Sequence, residues 1–229
     1  MEQKLSKESI IHAAFAYLKE TSDLSQLTMR KLAKVLSVQA PALYWYFTNK
    51  QELLQAMAET MENDLPDVPA GSWQEQLQTF MANYYDLYLQ YPCGAELEIH
   101  TIPSYPSRLL HLEQMITILI EAGFTPAQSR QTVQALHHLL LGHLLDRQKE
   151  EQLRAKIVTG DEKLRAHVSA MRSYVVENHL NGMAEGIQQR KQIDERQVFL
   201  ESIAIYLAGL NKRNTSLKKK TPTNHTKFP

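Results

Sequence analysis

Cysteine occurs once in 229 residues, at Cys93. A disulfide framework within the chain is thereby excluded, and so is a multi-cysteine zinc or iron–sulfur site. Glycine (eight) and proline (nine) are scarce, which argues against many short strands joined by tight turns. No apolar run approaches the length of a membrane span, and the opening MEQKLSKES lacks the apolar core of a secretory leader. These absences lead to the expectation of a soluble, cytoplasmic chain. An excess of one charge is absent only in sum, since 25 Lys/Arg balance 25 Asp/Glu. Residues 1–50 carry a net +3 and residues 211–229 a net +6, leaving −9 on the stretch between. A basic head beside an acidic body suggests an anionic partner for the head.

What is abundant is Leu, Ala, Gln, Glu and Lys, a helix-forming mixture. The size suits one small and one larger domain. Ile10, Ala13, Ala14, Tyr17 and Leu18 form a helical stripe. Short helices follow at 29–35, capped by Thr28 with Leu32 and Val35 inward, and at 39–46, with Pro41 in the first turn. Asn49-Lys50-Gln51-Glu52 has capping-box spacing and opens a helix to about 64. Leu65 to Gly71 holds two prolines and a glycine and reads as a linker. Beyond it, helices are expected at about 72–90, 95–101, 106–122, 125–149, 164–190 and 195–210, with 150–163 charged and weakly patterned and a loop at Gly160-Asp161. The expectation is an all-α fold in three parts: a head at 1–64, a helical body at 65–210, and a basic disordered tail at 211–229.

Helices at 29–35 and 39–46 joined by a three-residue turn have the spacing of a DNA-binding helix-turn-helix. Leu32, Val35, Val38 and Leu43 can lock the crossing. Gln39, Ala40 and Ala42 are then free to enter a major groove, Gln39 pairing with adenine and the methyls meeting thymine. Thr28, Arg30, Tyr44 and Lys50 sit at the rim, within reach of phosphates. By residue type alone, Trp45 and Phe47 read as core.

The stretch Leu27-Thr28-Met29-Arg30-Lys31-Leu32-Ala33, followed by Ala40-Pro41-Ala42-Leu43-Tyr44-Trp45-Tyr46-Phe47-Thr48-Asn49-Lys50-Gln51-Glu52-Leu53-Leu54, resembles the TetR family of bacterial repressors across residues 5–60. The resemblance implies phosphate contacts from Arg30, Tyr44 and Lys50. It also implies a groove-facing set of Gln39, Ala40, Pro41, Ala42, Trp45 and Tyr46.

Thinner similarity to the tetracycline-repressor branch runs through Ser72-Trp73-Gln74, Tyr91, Gly94-Ala95, Thr101, Pro103, Gly123-Phe124, His138, Leu141-Gly142 and Leu145-Asp146. In that branch the drug binds as a magnesium chelate. The matching metal positions here are Glu98 and Asp146, where the branch has a histidine and a glutamate, and two carboxylates suit Mg²⁺. His100 could substitute, and His138 falls at a pocket histidine. Pro66, Phe80 and Met115 replace polar drug contacts, while Tyr84 keeps an aromatic place. With Thr101 and Leu139, the implied pocket is more apolar than a polyhydroxylated drug prefers. That points to a largely apolar or aromatic effector, with Mg²⁺ taking part only if the effector chelates it. Read without the resemblance, Glu98 and Asp146 are surface carboxylates, and His137, His138 and His143 are core or interface histidines.

Two stripes look spare for a twofold four-helix bundle: Val133, Leu136, Leu140 and Leu144, and Ile203, Tyr206, Leu207 and Leu210. The function implied is a homodimeric repressor that binds a palindromic DNA operator and is released by a small molecule. The chain lacks an H-E-x-x-H motif, a nucleophile elbow and a Gly-rich phosphate loop, so no enzyme is expected. The alternatives are an activator of the same family and a helical adaptor that reads no DNA sequence.

Overall fold

The computed structural model describes residues 5–189 and 194–220, with backbone alone for 213–220. Among these residues are eleven α-helices and no strand.

Helix α1 (Lys7–Thr21) opens on Ser6, whose hydroxyl accepts from the Ser9 amide while Ser9 Oγ accepts from the Ser6 amide. Two otherwise orphaned donors are satisfied at once. Its stripe Ile10, Ala14 and Leu18 is fully buried. A 3-10 turn over Leu24–Gln26 leads to α2 (Met29–Val35), α3 (Ala40–Tyr44) and α4 (Lys50–Glu62). Leu32, Leu43, Phe47 and Leu53 form the lock between them. Val35, expected inward, is half exposed. Met29, Leu32 and Ala33 already complete the i, i+3, i+4 stripe of a two-turn helix, and a residue two places on falls on its opposite side. At the start of α4 the Asn49 side chain accepts from Glu52 N, as the spacing predicts. The return bond is shifted by one residue, because Glu52 takes the amide and hydroxyl of Thr48.

The body contains α5 (Trp73–Gln90), α6 (Gly94–Ile99), α7 (Pro106–Glu121), α8 (Pro126–Val158), α9 (Glu162–Glu177), α10 (Asn181–Gln189) and α11 (Glu195–Lys220). The capping boxes Ser72/Glu75 and Thr125/Gln128 are both closed. After α7, Gly123 adopts φ 87°, so its N–H reaches Ile120 O and that of Phe124 reaches Leu119 O. This Schellman stop folds Phe124 back against Trp73. Gly94 permits the closest approach in the body: a Cβ there would lie 2.5 Å from Tyr88 O. Helix α4 packs on α1 in the head and on α6 and α7 in the body, so it belongs to both.

Four expectations need correction. Helix α8 continues past 149 to Val158, carried by the i, i+4 pairs Arg147–Glu151 and Arg154–Glu150, and ends before Gly160 at φ 105°. The single helix expected at 164–190 breaks into α9 and α10 around His179, whose φ is 52°. The tail expected to be disordered from 211 is helical to Lys220; residues 221–229 lie outside the described residues. Finally, Val133, Leu136, Leu140, Leu144, Ile203 and Leu207 are buried within their own chain. They are consumed by the packing of α8 on α7 and α5 and of α11 on α5 and α8. Among the described residues the large apolar side chains left outward are Leu139 and, at its very end, Val158 on α8 and Val198 and Ile205 on α11, with open space at Gly142 and Gly209.

Candidate nucleic-acid interface and interior polar site

The helix-turn-helix presents one exposed face. Thr28 caps α2, its hydroxyl accepting from Lys31 N at 3.2 Å, and Arg30 next to it is exposed. Gln39 is the N-cap of α3 but makes no side-chain cap bond, leaving its carboxamide outward. Pro41 is exposed, Ala40 and Ala42 are partly so, and Tyr44 is half exposed. Trp45, read as core by residue type, is 88% exposed, whereas Phe47 is buried as expected. A tryptophan left this far in water contributes little to folding and stands ready to contact something else. Tyr46 departs from the groove-facing set: it is partly buried and its hydroxyl donates to Leu5 O at 2.8 Å. Lys50 lies in the first turn of α4, where its ammonium donates to Leu24 O at 3.2 Å and ties α4 to the 3-10 turn.

The body holds a second, interior site. Arg108, in the first turn of α7, is 2% exposed. Its Nη2 lies 3.0 Å from Glu98 Oε1 on α6 and 3.0 Å from His137 Nδ1 on α8. Its Nη1 is 3.6 Å from Glu62 Oε1, at the end of α4. The guanidinium sits 4.9 Å over the Tyr84 ring. Glu62 is fully buried; the same Oε1 accepts from the Tyr84 hydroxyl at 2.5 Å and faces His111 Nδ1 at 2.7 Å. Tyr105 donates to Glu98 Oε2 at 3.3 Å. One cation thus ties together groups from α4, α5, α6, α7 and α8.

Burial raises the Glu98 carboxyl above its ordinary range, with Arg108 opposing. Burial also works against the charge on Arg108, but Tyr88, Tyr84, Glu98 and Glu62 around it outweigh this and raise its pKa. Burial first, then Arg108, lowers His137 to about 3. His137 is therefore neutral and accepts from Arg108, and its 3.9 Å approach to Glu98 is not an ion pair. Tyr84 and Tyr88 are both raised by burial and stay protonated. Within this site Glu62 Oε2, Arg108 Nε and the Tyr88 hydroxyl have no hydrogen-bond partner, although all three are buried.

Of the expected pocket residues, Tyr84 and Glu98 lie in this site. Phe80 and Met115 are buried in the same core, and Thr101 is partly buried, bonding back to Leu97 O and Glu98 O. His100, His138, Leu139 and Asp146 point outward. On α8 it is His137, one residue before the expected histidine, that faces in. The pair Glu98 and Asp146 does not fit Mg²⁺: one carboxylate is buried with both oxygens taken by Arg108 and Tyr105, and the other is exposed. A guanidinium at 3.0 Å repels a dication from the place it would need.

The sequence reading missed Glu62, Arg108, His111 and Tyr105. The signal was present in the helical register. Arg108 and His111 share a stripe with Met115 and Leu119, and Glu62 follows the buried Met57, Ala58 and Met61. A charged residue on an apolar stripe marks a buried polar site.

A cleft of about 430 Å³ opens between the linker residues Pro66, Asp67 and Val68, Phe80 of α5, and His111 and Glu113 of α7. A larger one, about 560 Å³, lies between α1 and α8 beside Cys93 and holds none of the expected ligand residues. The outer face of α4 is strapped to the loop after α6. Gln51 Nε2 donates to His100 O at 2.8 Å, and the Gln55 amide both donates to Ile102 O and accepts from Ile102 N.

Residues 10–57 match the family described as bacterial regulatory proteins, tetR family, and residues 65–214 the tetracyclin repressor-like C-terminal domain. The class E tetracycline repressor protein of Escherichia coli is 31% identical over 154 residues, covering 66% of this chain and 72% of that one. Among solved structures, a TetR variant from Acinetobacter baumannii AYE in complex with minocycline superposes with a TM-score of 0.66 at 26% identity, over 92% of this chain and 99% of that one. BioQ with its double-stranded DNA operator gives 0.57 at 29% identity, over 72% and 100%. No described helix is long and apolar enough to cross a membrane. The chain belongs to the TetR family of transcriptional regulators, a ligand-responsive repressor family whose helix-turn-helix head and helical body it reproduces.

Proposed function

We propose that the chain is a cytoplasmic, homodimeric repressor that holds a palindromic operator through its head and lets go when a small molecule enters its body; it is not a catalyst. In this reading residues 1–64 form the DNA-binding part and 65–210 the effector and dimer part. Thr28, Arg30, Tyr44 and Lys50 anchor phosphates, while Gln39, Ala40, Pro41, Ala42 and Trp45 meet the groove. The operator complex of BioQ and the minocycline complex of the Acinetobacter protein support these two classes of partner. The dimer face is the outward stripe of Leu139, Val198 and Ile205, where Gly142 and Gly209 let partner helices come close.

The observation that carries the reading is the double attachment of α4. Its start is fixed in the head by Lys50, its outer face is strapped to the α6–α7 loop, and its last residue, Glu62, lies in the interior polar site. A ligand that shifts α6 or α7 must move the head with them. For release it must bind the shifted form more tightly than the DNA-holding form, by about 1–3 kcal/mol for a modest coupling and more for a full switch.

Selection of genomic fragments on the purified protein at moderate salt tests this. A few palindromes with half-sites about 34–36 Å apart are expected. Random fragments, lost as salt rises, would show charge attraction without sequence reading and would overturn the proposal.

A further inference from the structure

The effector-responsive reading leaves open what kind of molecule the interior site takes. We propose that it takes an organic cation, an amine or related positive group on a planar apolar body, with Glu62 as its counter-ion. The proposal rests on the effector-responsive reading and adds the ligand's chemistry to it.

Three features of the site converge. Glu62 is fully buried, and while Oε1 is shared by Tyr84, His111 and Arg108, Oε2 has no partner. A buried carboxylate oxygen without a donor is costly, and a ligand that donates to it recovers that cost. Charge gives the sign. Two carboxylates, Glu62 and Glu98, meet one permanent cation, the Arg108 guanidinium; the neighbouring His137 is neutral, and His111 adds a positive charge only when protonated. A bound anion would set a third negative group beside these two, whereas a cation balances them.

Access points the same way. His111 both lines the 430 Å³ cleft and touches Glu62, so it stands at the junction of cleft and carboxylate. The cleft's ionisable lining is Asp67, Glu113 and His111, with no Lys or Arg, so its field draws cations inward. Phe80 forms part of its wall, and behind it the Tyr84 ring already carries one cation on its face. Glu62 closes α4, so a ligand paired there acts directly on the helix that enters the head.

Calorimetry on the full-length protein without DNA tests the class, using naphthylmethylamine, naphthylmethanol and naphthoate, which share a ring system and differ in charge. The amine is expected to bind about tenfold or more tightly than the other two, and Glu62→Gln should equalise amine and alcohol. Equal or tighter binding of naphthoate or naphthylmethanol overturns the proposal, as does absence of amine binding across naphthyl, biphenyl and anthracenyl amines. Should Glu62→Gln fail to fold, His111→Ala is the second variant. Removing one of the three partners of Glu62 Oε1 should raise amine affinity several-fold and leave the alcohol unchanged, and an unchanged amine affinity overturns the assignment. The same compounds are then added to the operator complex. Amine binding without release supports the ligand class and refutes the release reading, while release by naphthoate with the amine inert refutes the class and leaves the release reading standing.

Discussion

Replacing Arg108 by methionine keeps most of the side-chain volume and deletes the charge at the centre of the interior site. Glu98 Oε1 then loses its partner at 3.0 Å, Glu62 Oε1 the one at 3.6 Å, and His137 its donor. Two carboxylates, both under a tenth exposed, are left without a cation. Breaking a buried pair by removing one side costs about 3–5 kcal/mol. The protein has one way to soften this, which is to protonate a glutamate. From the ordinary value of 4.5, doing so at about pH 7.5 costs about 4 kcal/mol at 1.36 kcal/mol per unit, so both routes give the same size of loss.

The second route carries a pH signature. In Arg108→Met the folded-state pKa of Glu98 lies above its unfolded value, so the folded state holds the extra proton and stability falls as pH rises through that window. Moving from about pH 7.5 to about pH 6 should therefore return about 2 kcal/mol to the variant. Urea unfolding at both pH values and one fixed protomer concentration measures this. A loss under about 1 kcal/mol, or one that does not shrink on acidification, would refute the assignment of Arg108 as the charge that holds the site together.

In the wild-type protein His137 contributes in the opposite sense to the raised Glu98 carboxyl. Neutral, buried His137 at about 3 against 6.5 unfolded means that the unfolded chain takes up the proton first, so stability drains away as pH falls from 6.5 toward 3; His137→Asn should flatten that slope in urea titrations. Trp45→Ala should leave the melting temperature unchanged, within about 0.5 kcal/mol, while weakening operator binding in a gel-shift assay. Gln39→Ala should relax preference at one base pair by about 1–3 kcal/mol, whereas Lys50→Ala should weaken all sequences alike and lower the salt slope by about one; titrations on operator variants separate the two. Gly94→Ala places a methyl 2.5 Å from Tyr88 O and should cost about 1–3 kcal/mol in urea unfolding.

The head was legible in the sequence because its signals are local. A cap at Thr28, a proline in the first turn of α3 and the Asn49 cap each act within three or four residues, and α2, α3 and α4 all begin within a residue of where those signals put them. Trp45 was less so: tryptophan is usually inside, and only the resemblance to a DNA-binding family pointed outward. The interior site was harder still. Glu62, Glu98, Arg108 and His137 come from four helices, and no spacing in the chain says that Arg108 will reach both glutamates. His137 and His138 differ by one residue, about 100° around α8, and that rotation decides which one enters the site. The dimer stripes were misread for a related reason. An apolar stripe on α8 or α11 shows that something covers it, and here α7 and α5 of the same chain do.

Helix α4 is also a lever. Thirteen residues at about 1.5 Å each make an arm of roughly 20 Å between Glu62 and the head. A swing of about 10° at the Glu62 end carries the Lys50 end some 3–4 Å, and two such swings in a twofold pair change the distance between recognition helices by up to roughly 7 Å. One base-pair step is about 3.4 Å, so the pair falls out of phase with its half-sites by about two steps. Amplification of this kind means that the ligand need not be large or reach the DNA. A swing of about 10° displaces the last turn, about 5.4 Å of helix, by only about 1 Å.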